Sequence, residues 1–229
     1  MSIADRLAEI KRRVAAAETR SGRAQGSVLL IAVSKTKPAE AITEAARAGQ
    51  VHFGENYAQE LRDKLVVLPD PKLCWHFIGH LQKNKVKYVA GKVYEVHTVD
   101  SVDLAAEIGR KASTLGVRQR VMIEVNVGGE EQKSGVGPEA ATGLCRAVME
   151  TPGVELVGLM TMPPLFDDPE TTRLFYRALR ELRDRLRLEL DDPVALPELS
   201  MGLSHDFEVA IEEGATRVRV GTAIFGERG

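Results

Sequence analysis

A chain of 229 residues, 44% hydrophobic and 28% charged, has an ordinary globular composition and enough length to bury a sizeable core. Thirty-one Lys and Arg against 33 Asp and Glu leave a formal net charge of −2, so no bulk positive field favours nucleic acid or an anionic membrane. Cys74 and Cys145 form no CxxC pair and read as reduced, buried thiols. Asp5 and Glu9 break any signal pattern in Met1–Arg20, and no apolar run spans a bilayer, so a soluble, cytoplasmic protein is expected.

Ile3, Leu7, Ile10 and Val14 recur at helical spacing among charged residues, predicting an amphipathic helix that ends near Ser21-Gly22. Val28–Ser34 is a continuous apolar run, typical of a strand covered on both faces. A helix follows from Pro38 to Ala48, closed by Gly49, then a short strand over Val51–Phe53 and a helix over Gln59–Val67. The same alternation continues with strand Trp75–Ile78, helix Lys83–Ala90, strand Val93–Val99 and helix Val102–Leu115, stopped by Gly116. Strands are next expected over Arg120–Val127, Glu155–Met160, Leu199–Leu203 and Thr216–Val220. Helices are expected over Glu139–Glu150, Pro169–Leu190 and Phe207–Gly214, with Thr222–Gly226 closing the chain. Pro163–Pro169 reads as a stiff surface connection.

This regular alternation without a linker predicts one α/β domain over residues 1–229, a single (β/α)₈ TIM barrel with an extra N-terminal helix. An open doubly wound sheet is the competing arrangement. Chemistry in such a barrel gathers at the C-terminal strand ends, with phosphate often held by the loops after strands seven and eight. The unusual residues fall at those ends: Lys35, Asn56, His80, Asn126, Met160–Met162, Ser200–His205 and Gly221-Thr222.

Lys35 ends the first strand with no acidic neighbour in sequence, which suits a neutral amine for attack on an aldehyde; taken alone, it fits a solvated loop lysine better, with Lys37 as a similar neighbour. In SMGLSHD, Ser200 and Ser204 offer hydroxyls and Gly202 permits close backbone approach to a ligand. A helix start near Ser204–Asp206 would suit an anion, although the same residues also serve as a cap. Arg217 and Arg219 point the same way from their strand, either both solvated at the rim or one into the barrel mouth. Gly221 and Thr222 then supply N–H groups and a hydroxyl at the expected phosphate position. Asn56 fits a ring contact or a helix cap. The histidines at 76 and 80 are too far apart for a compact metal pair, and no HExxH or carboxylate cluster occurs, so no metal is expected.

At these residues the sequence resembles a known family. AVSKTKP, HFGENYAQE, WHFIGHLQKNK, LMTM, LSMGLSHDFEVAI and TRVRVGTAIFG, in order along almost the whole chain, resemble the pyridoxal phosphate homeostasis (YggS/PROSC-like) proteins. The resemblance implies a pyridoxal 5′-phosphate (PLP) barrel similar to the N-terminal domain of alanine racemase. It implies a cofactor set of Lys35, Asn56, His80, Ser200, Ser204, Arg219, Gly221 and Thr222: Lys35 as the Schiff-base lysine, Arg219 as partner of the pyridine nitrogen, Ser200, Ser204, Gly221 and Thr222 as the phosphate cradle, and Asn56 beside the ring. Arginine only donates, so the ring nitrogen would stay unprotonated and the ring would be a weaker electron sink.

A racemase of this type also needs a tyrosine from an additional β-domain, and none of Tyr57, Tyr88, Tyr94 and Tyr176 reads as a clear substitute, Tyr57 coming closest. The expectation is therefore a monomeric PLP carrier that limits free aldehyde and supplies apo-enzymes, not an enzyme. Lys133 offers a secondary amine, or a plain solvated loop residue. The alternative is a small PLP-dependent amino-acid racemase.

Overall fold

Ser2 caps the first helix: its hydroxyl accepts from the backbone N–H of Asp5, whose carboxylate accepts from the N–H of Ser2. The computed structural model describes residues 1–130 and 134–227, so Lys133 lies outside the described residues. Helix α1 (Ile3–Arg20) buries Ile3, Leu7, Ile10, Val14 and Ala17, the stripe its spacing predicts. The buried Glu18 accepts from the N–H groups of Gly26 and Val28 and from the Ser27 hydroxyl, fixing the turn into the first strand.

Eight parallel strands then close a barrel in chain order, with β8 bonded back to β1. They are β1 (Leu29–Val33), β2 (His52–Glu55), β3 (Cys74–Phe77), β4 (Glu95–Val99), β5 (Gln119–Glu124), β6 (Val154–Met160), β7 (Glu198–Ser200) and β8 (Arg217–Val220). The helices outside are α2 (Ala39–Arg47), α3 (Ala58–Val67), α4 (Val102–Thr114), α5 (Ala141–Met149), α6 (Arg173–Glu189), α7 (Phe207–Glu212) and α8 (Thr222–Phe225). The open-sheet arrangement is thereby set aside. One expected helix differs: Lys83–Tyr88 forms a 3₁₀ segment, and Pro169–Thr172 is likewise a 3₁₀ turn leading into α6. Among the described residues no helix is long and apolar enough to cross a membrane, and Cys74 and Cys145 are free thiols.

Alternation along the strands separates two interiors. Leu30, Ala32, Phe53, Trp75, Phe77, Val121 and Ile123 face outward into the main apolar cluster beneath the helices. Met122, Val157 and Met160 form a separate small cluster. Much of the barrel's inside is polar. Glu95, fully buried, receives Arg120 Nη2 at 2.9 Å and Arg217 Nη2 at 3.4 Å on Oε1, while Arg217 also pairs with Glu198. Its Oε2 lies 3.5 Å from His76 Nδ1 and 3.4 Å from His97 Nε2. Burial alone would raise the Glu95 pKa, but the imidazoles of His76 and His97 beside it and the charge of Arg217 hold it far below the usual carboxylate range.

Burial pulls His76 down to about 4 from 6.5, against the opposing pull of the Glu95 carboxylate, and pulls half-buried His52 to about 4 as well. The unfolded chain therefore binds protons between pH 6.5 and 4 that the native barrel refuses. Stability is full above that window and falls as pH drops through it, as does the contribution of the depressed Glu95 at lower pH. Urea unfolding across pH 7 to 4 should show a loss of up to about 1.4 kcal/mol per pH unit for each fully buried imidazole, less for His52, which solvent screens. A His76→Asn variant should flatten the slope; an unchanged slope would contradict the assignment of neutral buried imidazoles.

Candidate cofactor site at the C-terminal strand ends

A cavity of about 610 Å³ opens where β1, β7 and β8 end, lined by Lys35, Arg219, Gly221, Thr222 and Ser204, with Leu203, His205 and the Leu165–Asp167 loop opposite. Its volume is typical of a small-molecule site. Strand alternation explains the convergence. Ile31, Val33 and Lys35 share the inward face of β1 and its extension, as Arg217, Arg219 and Gly221 do on β8.

The backbone on both sides of Lys35 is clamped from outside the barrel. Lys64, on α3, donates from Nζ to the carbonyl of Ser34, to Glu55 Oε1 and to Glu60 Oε1, each at 2.7 Å. Ser34 donates its hydroxyl to the same Glu55 oxygen at 2.6 Å, and the Thr36 N–H donates to Glu60 at 2.6 Å. Thr36 has φ +62°, a left-handed conformation that costs a β-branched residue energy. Glu60, which holds Thr36, is part-exposed, whereas the Lys64–Glu55 pair behind it is buried, with side chains 8% and 0% exposed. Burial raises the Glu55 pKa, with the Lys64 ammonium opposing.

Arg219 is 3% exposed. Its Nη1 donates to the Ser200 carbonyl at 2.9 Å and to Ser200 Oγ at 2.6 Å, and Nη2 donates to the Thr161 carbonyl at 2.9 Å. Ser204 ties the two phosphate-side loops together by accepting from the Gly221 N–H at 3.1 Å. Gly202 is needed for backbone geometry: at φ +96° a Cβ would lie 2.6 Å from that of Ala210, so this glycine lets the β7 loop fold onto α7.

The alanine racemase N-terminal domain family matches residues 6–229. A pyridoxal phosphate homeostasis protein of Aquifex aeolicus is 50% identical over 228 residues, covering 100% of this chain and 99% of the relative. The structure of PipY of Synechococcus elongatus with PLP bound is 36% identical with a TM-score of 0.85, covering 98% of this chain and 100% of PipY. An alanine racemase of Clostridium difficile shares the fold alone, at 15% identity and a TM-score of 0.76, over 98% of this chain and 57% of the racemase.

The chain belongs to the pyridoxal phosphate homeostasis protein family.

Of the residues the family resemblance implied, Lys35, Ser204, Arg219, Gly221 and Thr222 line the cavity together. Three lie outside that lining. The fully buried Ser200 hydroxyl is engaged by Arg219 and by His97 Nδ1 at 2.9 Å. Ser200 falls in the barrel interior, below the loop that carries Ser204. Asn56 follows β2, and its Oδ1 is buried with no hydrogen-bond partner among the described residues, as a group awaiting a ligand would be. His80 is exposed, its Nδ1 4.0 Å from Asp100.

The cavity and the barrel beneath it also recruit residues that sequence patterning missed. Leu165, Phe166 and Asp167, expected in a mere surface connection, line the cavity, with Phe166 stacked on Phe175 and His205 Nε2 3.0 Å from the Asp167 carbonyl. Glu55, Glu60 and Lys64 looked like ordinary helix and strand charges. His76, Glu95 and His97 come within 4.8 Å of one another across two strands, a grouping no motif spacing announced, and two guanidinium groups already hold the carboxylate.

Replacing Lys64 by Met should strand the Glu55 carboxylate and release both neighbours of Lys35. The expected loss is about 3–5 kcal/mol in denaturant unfolding, the usual effect of breaking a buried pair. A loss under about 1 kcal/mol, the range of surface pairs, would show the clamp to be dispensable.

Proposed function

We propose that residues 1–229 act as one cytoplasmic, monomeric PLP-binding domain that holds PLP reversibly as a Schiff base on Lys35 and supplies apo-enzymes without turnover of its own. The observation that carries this reading is the convergence of Lys35, Arg219, Ser204, Gly221 and Thr222 on one cavity at the phosphate-binding end of the barrel. The groups present fit the cofactor: an amine for the aldehyde, a cation for the ring nitrogen, and hydroxyl and backbone donors for phosphate, while the Asn56 oxygen after β2 is buried without a partner among the described residues. His80 joins the set by family resemblance alone. PLP, when bound, supplies a reversible carbonyl linkage and an electron-withdrawing ring.

The residues of this chain orient and restrain. Lys64, Glu55 and Glu60 fix the backbone from which Lys35 projects. Arg219 keeps its proton because a guanidinium does not give one up in proteins, and at the ring nitrogen it donates without protonating. Such a site favours holding over broad amino-acid chemistry. The family's homeostasis role supports the same reading, and the racemase alternative is not favoured.

Adding PLP to the apo-protein should give the visible absorbance of protein-bound cofactor, lost in Lys35→Ala. Saturation to 100 times Kd should stabilise the fold by about 2.7 kcal/mol. Incubation with L- and D-amino acids should give no steady interconversion near the ~1 per second of ordinary enzymes. Protein that stays colourless with added PLP would sink the cofactor reading, and sustained racemisation would sink the carrier reading.

A further inference from the structure

We propose that His97, acting through Ser200, is a positioning residue for Arg219, and that His76 and His52 anchor it from the opposite end of the barrel. The proposal rests on the PLP reading of the site and assigns new roles within it. A continuous file of hydrogen bonds crosses the barrel interior. His52 Nδ1 lies 3.0 Å from His76 Nε2, His76 Nδ1 lies 3.0 Å from His97 Nε2, and His97 Nδ1 lies 2.9 Å from Ser200 Oγ. Arg219 Nη1 completes the file at 2.6 Å from the same hydroxyl.

The cation sets the direction of every proton in it. A guanidinium only donates, so Ser200 Oγ accepts from Arg219 and turns its own proton to His97 Nδ1. His97 then carries its proton on Nε2, facing His76 Nδ1 and, 3.4 Å away, Glu95 Oε2. His76 in turn donates from Nε2 to His52, the half-buried end of the file. Each donor meets an acceptor in this sense. With the imidazoles reversed, Ser200 would receive two protons and need another acceptor for its own. Glu95, fixed by Arg120 and Arg217, holds negative charge beside the two inner rings.

The result is a fixed guanidinium plane. Three donor contacts go to Ser200 and Thr161, leaving two of the five N–H groups for a ligand in the cavity that Arg219 lines. Without His97 the Ser200 hydroxyl is free to rotate, and the arginine loses its reference.

The test compares PLP with the analogue in which C–H replaces the ring nitrogen. His97→Leu should weaken PLP binding about tenfold, the scale of one hydrogen bond to a charged group, and leave the analogue's affinity unchanged. His97→Asn, which keeps an acceptor near the Nδ1 position, should restore PLP affinity. Equal losses for both ligands, or no loss, would overturn the positioning role. Should His97→Leu fail to fold, wild-type protein with ¹⁵N-labelled imidazoles serves: PLP, but not the analogue, should shift the His97 Nδ1 signal, and an unmoved signal overturns the proposal. Wild-type protein that binds neither ligand overturns the cofactor reading itself, a result distinct from failure of the variants alone.

Discussion

A guanidinium buried inside a barrel must find acceptors, and the way Arg219 finds them organises the ligand-facing end of this structure. Burial disfavours its charge, and its hydrogen-bond partners among the described residues are neutral oxygens, the carbonyls of Ser200 and Thr161 and the Ser200 hydroxyl. Desolvating a cation without a contacting anion is costly, so the surroundings have to supply dense hydrogen bonding. They do so from β6, β7 and, through His97, β4. The carboxylate of Glu124 acts on Arg219 at longer range and is itself raised in pKa by burial. An anionic, hydrogen-bond-accepting ligand in the adjoining cavity would complete the arginine's environment.

Arg217, two residues earlier on the same inward face, meets the opposite solution. It contacts Glu95 and Glu198, so that layer is internally neutralised and sealed. The barrel thus divides along its axis into a closed ionic floor and an upper layer whose cation is left open to the cavity. The histidine file joins the two layers. Both depend on the period-two alternation of β8, in which Val218 and Val220 pack outward while the arginines share the interior.

This division explains what could be read from the sequence. The barrel was legible because short strands, continuous apolar runs as in β1 or alternating as in β8, recur between amphipathic helices. The meeting of Lys35, Ser204, Arg219, Gly221 and Thr222 at one cavity was legible because strand ends are the chemical end of the fold. The roles of Ser200 and Gly202 were not. A serine at a strand end looks the same whether its hydroxyl faces a phosphate or an arginine, and only register decides. Gly202 was read as making room for a ligand, whereas its φ of +96° and its contact with Ala210 serve the chain's own turn. The ionic floor was hidden for another reason: His52, His76, Glu95, His97, Arg120 and Arg217 come from five strands, and barrel closure alone brings them together. Residues 83–88 were misread as a full helix because their polar sequence and helical spacing do not separate α from 3₁₀ geometry.

The two halves of the site differ in how they are held, and that difference bears on releasing a cofactor as much as on binding one. Lys35 follows β1, where Lys64 and Glu55 fix the adjoining backbone, and Arg219 lies on β8, where Ser200, itself engaged by His97, fixes the side chain. The facing wall is loop: Leu165–Asp167 is held by the stacking of Phe166 on Phe175 and by one contact from His205, and Thr222 is exposed at the rim. Loops with few buried contacts open at lower free energy than the core they cover. A ligand can therefore be exchanged by displacing the loop wall while the amine and the guanidinium keep their geometry. The cavity is therefore rigid where the strands end and compliant where the loop faces them.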